Sequence, residues 1–319
     1  MTSRLIYDAE LAPVLGSAFQ PTGFPDIGAA TFTRFEEDQR VESLLVESVQ
    51  SMANRLEATA WDDATNQPAA AVAGLPWVRV DRAGAFLTSS RQEAHRLASP
   101  FIRLATIDGK PMLEEIGTRL GLAADTPHDR RAQAAAVAAL DPFCLLHGVF
   151  FADKKWPGQP RFARAVSSVI EAHDVVRLDS GGRKSDRVRH QIDDKTSGGS
   201  SEGYGSVPFH RTEWTAKRIV ASFVVDVELL RSYGLPTPVT ETLETLAQWE
   251  IRRLLDGGMR LRTACDLDLV GEVGTRRGEP LPDSQTLTAR LAELIAASWD
   301  VAGSPLIVEW TGKTSAAKG

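Results

Sequence analysis

Between residues 42 and 57 the chain reads ESLLVESVQSMANRLE, the stretch that most limits how it can fold. Leu45, Val49, Met52 and Leu56 recur at helical spacing and predict one buried stripe. Glu47, Ser48, Ser51, Asn54 and Arg55 fall on a second stripe of small hydrogen-bonding side chains with one guanidinium. An ordinary solvated face mixes lysine with glutamate. This one offers neutral and charged donors without bulk, which suits phosphate and ribose oxygens. A core helix with a plain solvated face has the same period, so the rest of the chain has to separate the two readings.

A chain of 319 residues forms one large domain or two and buries a core without staples. No apolar run approaches the ~18 residues of a membrane span, and the N-terminal MTSRLIYDAEL lacks a signal-peptide core. A soluble, cytoplasmic protein with no membrane partner is expected. The two cysteines, Cys144 and Cys265, lie in apolar or strand-like segments and read as buried free thiols. The six histidines are scattered, so neither a metal site nor a cofactor is expected. A net charge of −6 argues against indiscriminate binding of duplex nucleic acid, which needs a general positive field. Local excesses remain. Arg183, Lys184, Arg187 and Arg189 face one Asp186, and Arg252, Arg253, Arg260 and Arg262 are only partly offset by Asp256 and Asp266.

In chain order, residues 29–35 predict a first strand, and the helix follows with Glu36, Glu37 and Asp38 near its positive end. Residues 77–80 and 85–87 read as strands around the turn Asp81-Arg82-Ala83-Gly84. Ser89 or Ser90 caps a helix through residue 98, with Glu93 placed for a capping box. Residues 111–122 and 127–140 are two more helices; the second, capped at Asp125-Thr126-Pro127 and rich in alanine, reads as an insertion or interaction helix. The apolar run 143–151 suggests a central strand with His147 as a core histidine, and 161–170 another strand. Residues 179–206 are glycine-rich, basic at the front and without apolar period. They cannot offset their ordering entropy by burial, and read as a surface loop or a binding element with Tyr204 as its aromatic.

Residues 214–227 suit a long strand. Thr240 caps a helix with Leu243, Leu246, Ala247, Ile251 and Leu254 inward and Gly257-Gly258 as its stop. Residues 258–267 return as a strand whose alternation puts Arg260 and Arg262 on one face. Asp266 and Asp268 share that face, where ion pairing explains them better than a metal does. A helix over 287–298, a strand over 306–310 and a polar tail complete the chain. The pattern is α+β, an antiparallel sheet backed by helices, with the ferredoxin-like layout its simplest member. No nucleophile elbow, Walker motif or dinucleotide fingerprint appears, and Cys265 has no histidine nearby in sequence.

Several blocks carry a family resemblance: SVQSMANRLE at 48–57, EAHRLASPFI at 93–102, DPFCLLHGVFF at 141–151, SDRVR at 185–189, GSVPFHRTEWTAKRIVASFVVDV at 205–227, RSYGLP at 231–236 and GMRLRTACDL at 258–267. Spread over most of the chain, they resemble the backbone RAMP subunit of type I-U (I-G) CRISPR effector complexes. The resemblance implies a single RAMP-type domain over 1–319. It has an RRM/ferredoxin-like palm, insertions at about 99–140 and 176–206, a thumb-like hairpin and a flexible tail at 311–319. It implies a protein that is not an enzyme, binds the CRISPR guide RNA and stacks with further copies of itself in a filament. Target DNA is met through the guide, beside other effector-complex subunits. The helix bearing Ser48, Gln50, Ser51, Asn54 and Arg55 is similar to the guide-holding helix of related subunits, with Asn54-Arg55 where many have Lys-Arg. Arg183, Lys184, Arg187 and Arg189 on the thumb, with Arg260 and Arg262, complete the expected RNA contacts. The alternative is a RAMP-type endoribonuclease processing precursor RNA, with His147, His190 or His210 as general base.

Overall fold

The computed structural model of the chain describes residues 2–23, 28–125, 127–185, 206–299 and 305–312, with backbone alone at 183–185 and 206–209. The first strand, β1 (Leu5–Pro13), is built by alternation: Tyr7, Ala9 and Leu11 are buried on one face, Asp8 and Glu10 lie on the other. The sequence reading passed over it. β2 (Thr31–Glu36) and β3 (Gln39–Glu47) form a hairpin whose two turn residues, Glu37 and Asp38, have φ of 47° and 67°. Two left-handed residues match the twist of a tight hairpin. The acidic triplet therefore makes a turn and not a helix start.

Residues 42–57 are not one helix. β3 runs to Glu47, Ser48 turns the chain with ψ of 158°, and α1 spans Val49–Ala58. Pairing decides the matter: β3 carries a partner on each edge and buries Leu44 and Val46, which outweighs the helical period. Of the predicted stripe, Met52 and Leu56 are buried on α1, Leu45 belongs to the strand, and Val49 is 42% exposed.

β4 (Val78–Arg82) and β5 (Ala85–Ser89) form the predicted hairpin. No α-helix follows. Ser90 accepts the Val78 N–H and donates to Asp141, Glu93 accepts from Thr88 and Ser99, and Ser99 caps a helical turn at Pro100–Arg103. α2 (Met112–Arg119) is followed by α3 (Arg130–Leu140), whose cap is Asp129. α3 buries Gln133, Ala134, Val137, Ala138 and Leu140, so it belongs to the core and is no peripheral insertion.

The run 143–151 also departs from expectation: Asp141 accepts the Phe143 N–H and starts a helical turn, Phe143–Leu146. Gly148 (φ 83°) then bends sharply into the short β6 (Val149–Phe150), paired with β7 (Arg161–Phe162). A Cβ on Gly148 would sit 3.0 Å from the Phe162 carbonyl oxygen, so only glycine fits this approach. A wholly apolar run has no period to separate helix from strand.

β8 (Val166–Ser185) and β9 (Ser206–Val225) pair from Val166↔Val225 to Ser185↔Ser206. The stretch read as loop from 179 is thus strand through 185. Its outer part exposes both faces, and a strand that buries neither leaves no alternation to read. Arg187, Arg189, His190 and Tyr204 lie outside the described residues.

α4 (Thr237–Asp256) begins after Pro236, with Thr240 inside it, and buries the five apolar residues predicted. Past Gly257 the chain returns as β10 (Met259–Arg262) and β11 (Cys265–Leu269), two strands where one was predicted. β12 (Gly274–Arg277) pairs with β1, and α5 (Ser284–Ser298) packs on α4, where the Trp249 indole donates to Thr288 at 3.1 Å. β13 (Leu306–Glu309) joins β4 in parallel, in a smaller sheet ordered β5-β4-β13 and then Thr106–Ile107 and Lys110–Pro111.

The large sheet runs β10-β11-β1-β9-β8-β3-β2. Its strands β11-β1-β9-β8, taken with α1 and α4, follow β-α-β-β-α-β connectivity in chain order. The class is α+β. The buried face of this sheet holds Tyr7, Ala9, Ala172, Ala221 and Phe223, and the Tyr7 hydroxyl finds Gln248 of α4 at 2.8 Å. No helix among the described residues is long and apolar enough to cross a membrane.

Candidate nucleic-acid interface

Of the predicted polar stripe, Ser48, Ser51 and Asn54 lie at or on α1, whereas Glu47 belongs to β3 and Arg55 turns inward to partners. The Ser48 hydroxyl caps the helix by accepting the Ser51 N–H at 3.2 Å, Gln50 and Asn54 are exposed, and Ser51 is half-buried. Arg55 is already engaged. Its Nε donates to Glu47 at 3.0 Å and a terminal nitrogen donates to the Leu261 carbonyl at 2.9 Å. Glu47 is 1% exposed and also accepts from the Thr22 hydroxyl at 2.7 Å. Arg55 thus works first as a joint, tying α1 to the backbone of β10. The two stretches singled out in the sequence do meet.

β10 alternates as predicted: Met259 and Leu261 are buried, Arg260 and Arg262 exposed. Arg262 donates to the Pro21 carbonyl at 3.1 Å, and Arg260 has no acid within ion-pair reach among the described residues. Asp266 stands opposite Arg260 in the ladder, and Asp268 accepts the Leu269 N–H. Among the described residues no cluster of three or more His, Cys, Asp or Glu could hold a metal. Burial, helped by the Glu47 carboxylate, pushes the Cys265 thiol up to about 12, so no thiolate forms near neutral pH.

A strap without regular structure, Phe19 to Thr22, holds these parts together. Phe19 exchanges backbone hydrogen bonds of 2.9 Å with Trp214, Gln20 donates to the Ala264 carbonyl at 2.7 Å, and Thr22 donates to the Val46 carbonyl at 2.8 Å. Between the strap and the base of the β8–β9 hairpin lies an open groove of about 700 Å³, lined among others by Gln20, Thr31, Arg177, His210, Trp214 and Arg262. The Trp214 indole N–H is buried there without a partner among the described residues, whereas Arg177 lies 3.0 Å from Asp179. Gln20, Arg177 and Trp214 were missed as site residues, and His210 was considered only as a general base. Folding the hairpin about its glycine-rich centre would have found three of them, since Arg177 pairs with Trp214 and Gly181 with His210.

Arg183 and Lys184 take part in the hairpin ladder opposite Pro208 and Val207, roughly 20 Å along the strand from Arg177; their side chains lie outside the described part. His147 is fully buried, its Nε2 3.0 Å from both Glu250 carboxylate oxygens.

The model of the family described as CRISPR-associated protein GSU0053 matches residues 5–177. The chain belongs to this family. The match includes α1, the strap and three of the sequence blocks that suggested a CRISPR-associated RAMP protein. No curated protein matches this GSU0053-family chain. Among solved structures it is similar to a chain described as "CRISPR RNA-guided surveillance complex, pre-nicking", at 11% identity and a TM-score of 0.40. That likeness covers 92% of this chain and 87% of the other.

Proposed function

We propose that this GSU0053-family protein is a guide-RNA-binding backbone subunit of a CRISPR effector complex. In this reading it is non-catalytic and stacks with further copies of itself along the guide. Target DNA is met through guide pairing, beside other subunits. The large sheet with α1 and α4 serves as an RRM/ferredoxin-like palm, and the β8–β9 hairpin as the thumb. The observation that carries this is the Arg55–Leu261 joint, which ties the helix bearing the Ser/Asn face to the strand bearing Arg260 and Arg262, the latter lining the groove. A subunit that grips any spacer must hold phosphate and 2′-hydroxyl rather than base edges, and small donors flanking exposed guanidinia do that. Co-expression with a CRISPR array, followed by sequencing of the co-purifying RNA, tests it: repeat-spacer RNA is expected, and its absence overturns the proposal.

For the endoribonuclease reading, His147 is shut in the core, His210 lines the groove, and His190 lies outside the described residues. Incubation with a hairpin repeat RNA in EDTA decides between the two. Metal-independent cleavage lost in His210→Ala would replace the scaffold reading.

A further inference from the structure

A second cationic surface lies at the start of α3 and on the β6–β7 hairpin, and it shares no residue with the groove. The first turn of α3 holds Arg130 and Arg131 and no acid beyond the cap. Cations at the positive end of a helix lower its stability, so local folding gives no reason for them. Arg130 is pinned: its guanidinium lies 3.8 Å over the Phe162 ring and donates to the Arg161 carbonyl. The Arg161 side chain is exposed, directly across the ladder from Phe150, itself 50% exposed. Lys154 is exposed in the loop of the same hairpin. None of Arg131, Lys154 and Arg161 has an ion-pair partner among the described residues. The nearby acids are occupied, Asp129 in capping Ala132 and Asp153 with Arg103 at 2.6 Å.

We propose that single-stranded nucleic acid binds here, with a base stacked on Phe150 and its phosphate held by Arg161, and with Arg131, beside Gly234, and Lys154 taking further phosphates as the strand passes round the hairpin. An open ring beside an unpaired cation is the recurrent device for gripping single strands without reading their sequence. Phe150 and Arg161 stand about 5 Å apart across the ladder, so a base on the ring leaves its phosphate within reach of the guanidinium. The chain is acidic overall, at −6, so such a patch does not follow from composition. The proposal goes beyond guide binding: it is a separate site for a separate strand.

The test uses the full chain, both as purified and saturated with guide RNA, and a fluorescein-labelled oligothymidylate followed by anisotropy across a salt series. Arg131→Glu/Arg161→Glu should weaken oligothymidylate binding by about tenfold or more and make the log–log salt slope shallower by about 1.4, for two lost contacts. The same pair should leave guide retention unchanged and, by placing an acid at the helix start, hold or raise the melting temperature. Phe150→Ser should cost at least about fivefold with the slope unchanged, as a stacking contact does. Unaltered affinity in both variants overturns the proposal. So does a change in sedimentation of the copies with oligothymidylate affinity intact, which would make the face a protein contact. Arg260→Glu/Arg262→Glu separates the two sites: lost guide with oligothymidylate retained supports the second site, and loss of both places the oligothymidylate in the groove and overturns it.

Discussion

The open face of the large sheet and the edge formed by α1, β10 and the strap are both polar, yet their charges are handled in opposite ways. On the open face several charges are matched to one another. Asp8 accepts from Ser222 and Arg276, each at 2.6 Å, Arg218 meets Glu10 at 3.2 Å, and Arg34 pairs with Glu36 at 2.9 Å. Burial, reinforced by Arg34 beside it, holds the His173 ring below its ordinary range. The neutral ring takes a hydrogen bond from Arg34 at 2.9 Å. At the edge, Arg262 is satisfied only by a carbonyl, and Arg260 has no acid within reach among the described residues. RRM sheets bind RNA on their open face through stacking aromatics. Here a phosphate on that face would have to displace carboxylates, whereas at the edge it would displace water. Under the guide-binding proposal, the fold class alone would point to the wrong surface.

The sharpest way to break the contrast is to reverse charge at each place. Arg260→Glu/Arg262→Glu should lower guide affinity by about 100-fold at moderate salt and flatten the salt slope by about 1.4. The matched reversal on the open face, Arg218→Glu/Arg276→Glu, should stay within about twofold by the same filter-binding measurement. Equal losses would erase the distinction.

Next in size is the joint. Glu47→Ala leaves the Arg55 guanidinium, 26% exposed, without its carboxylate and should cost roughly 2–4 kcal/mol in urea unfolding. Part of that arises because the Thr22 hydroxyl also loses its acceptor.

Smallest is a pH effect at the far end of α1, where Glu57 meets Arg96 in two hydrogen bonds of 2.7 and 2.6 Å. Burial pushes the Glu57 carboxyl up, but His147 and Arg96 outweigh it and hold it below its ordinary 4.5. A depressed carboxylate stabilises the fold above its unfolded pKa, and that contribution fades as pH falls through the folded value. Glu57→Gln should therefore flatten the acid limb of the stability curve below pH about 4.5, read by urea titration. A limb of unchanged steepness would remove Glu57 from the account.

Legibility followed burial. α4 and α5 and the alternation of Arg260 with Leu261 were readable because each buries one side against a fixed neighbour. β3 was misread because Leu44, Leu45 and Val46 are adjacent apolar residues, and which face each takes depends on pairing with β8, distant in sequence. The outer hairpin was hidden for the opposite reason, having no buried face. β1 was legible and overlooked, since Tyr7, Ala9 and Leu11 alternate with two acids. The strap could not be read at all: its contacts reach residues up to 244 positions away, and nothing local prescribes them.

That reach has a consequence in time. The strap is made long before one of its backbone partners, Ala264. Translation proceeds at about 5–20 residues per second, so well over ten seconds separate the two. Until Ala264 emerges, Arg55 lacks the Leu261 carbonyl and the groove lacks Arg262. A growing chain can complete much of its large sheet before these contacts exist, so under the guide-binding proposal the strand has to wait until the residues around 264 are made.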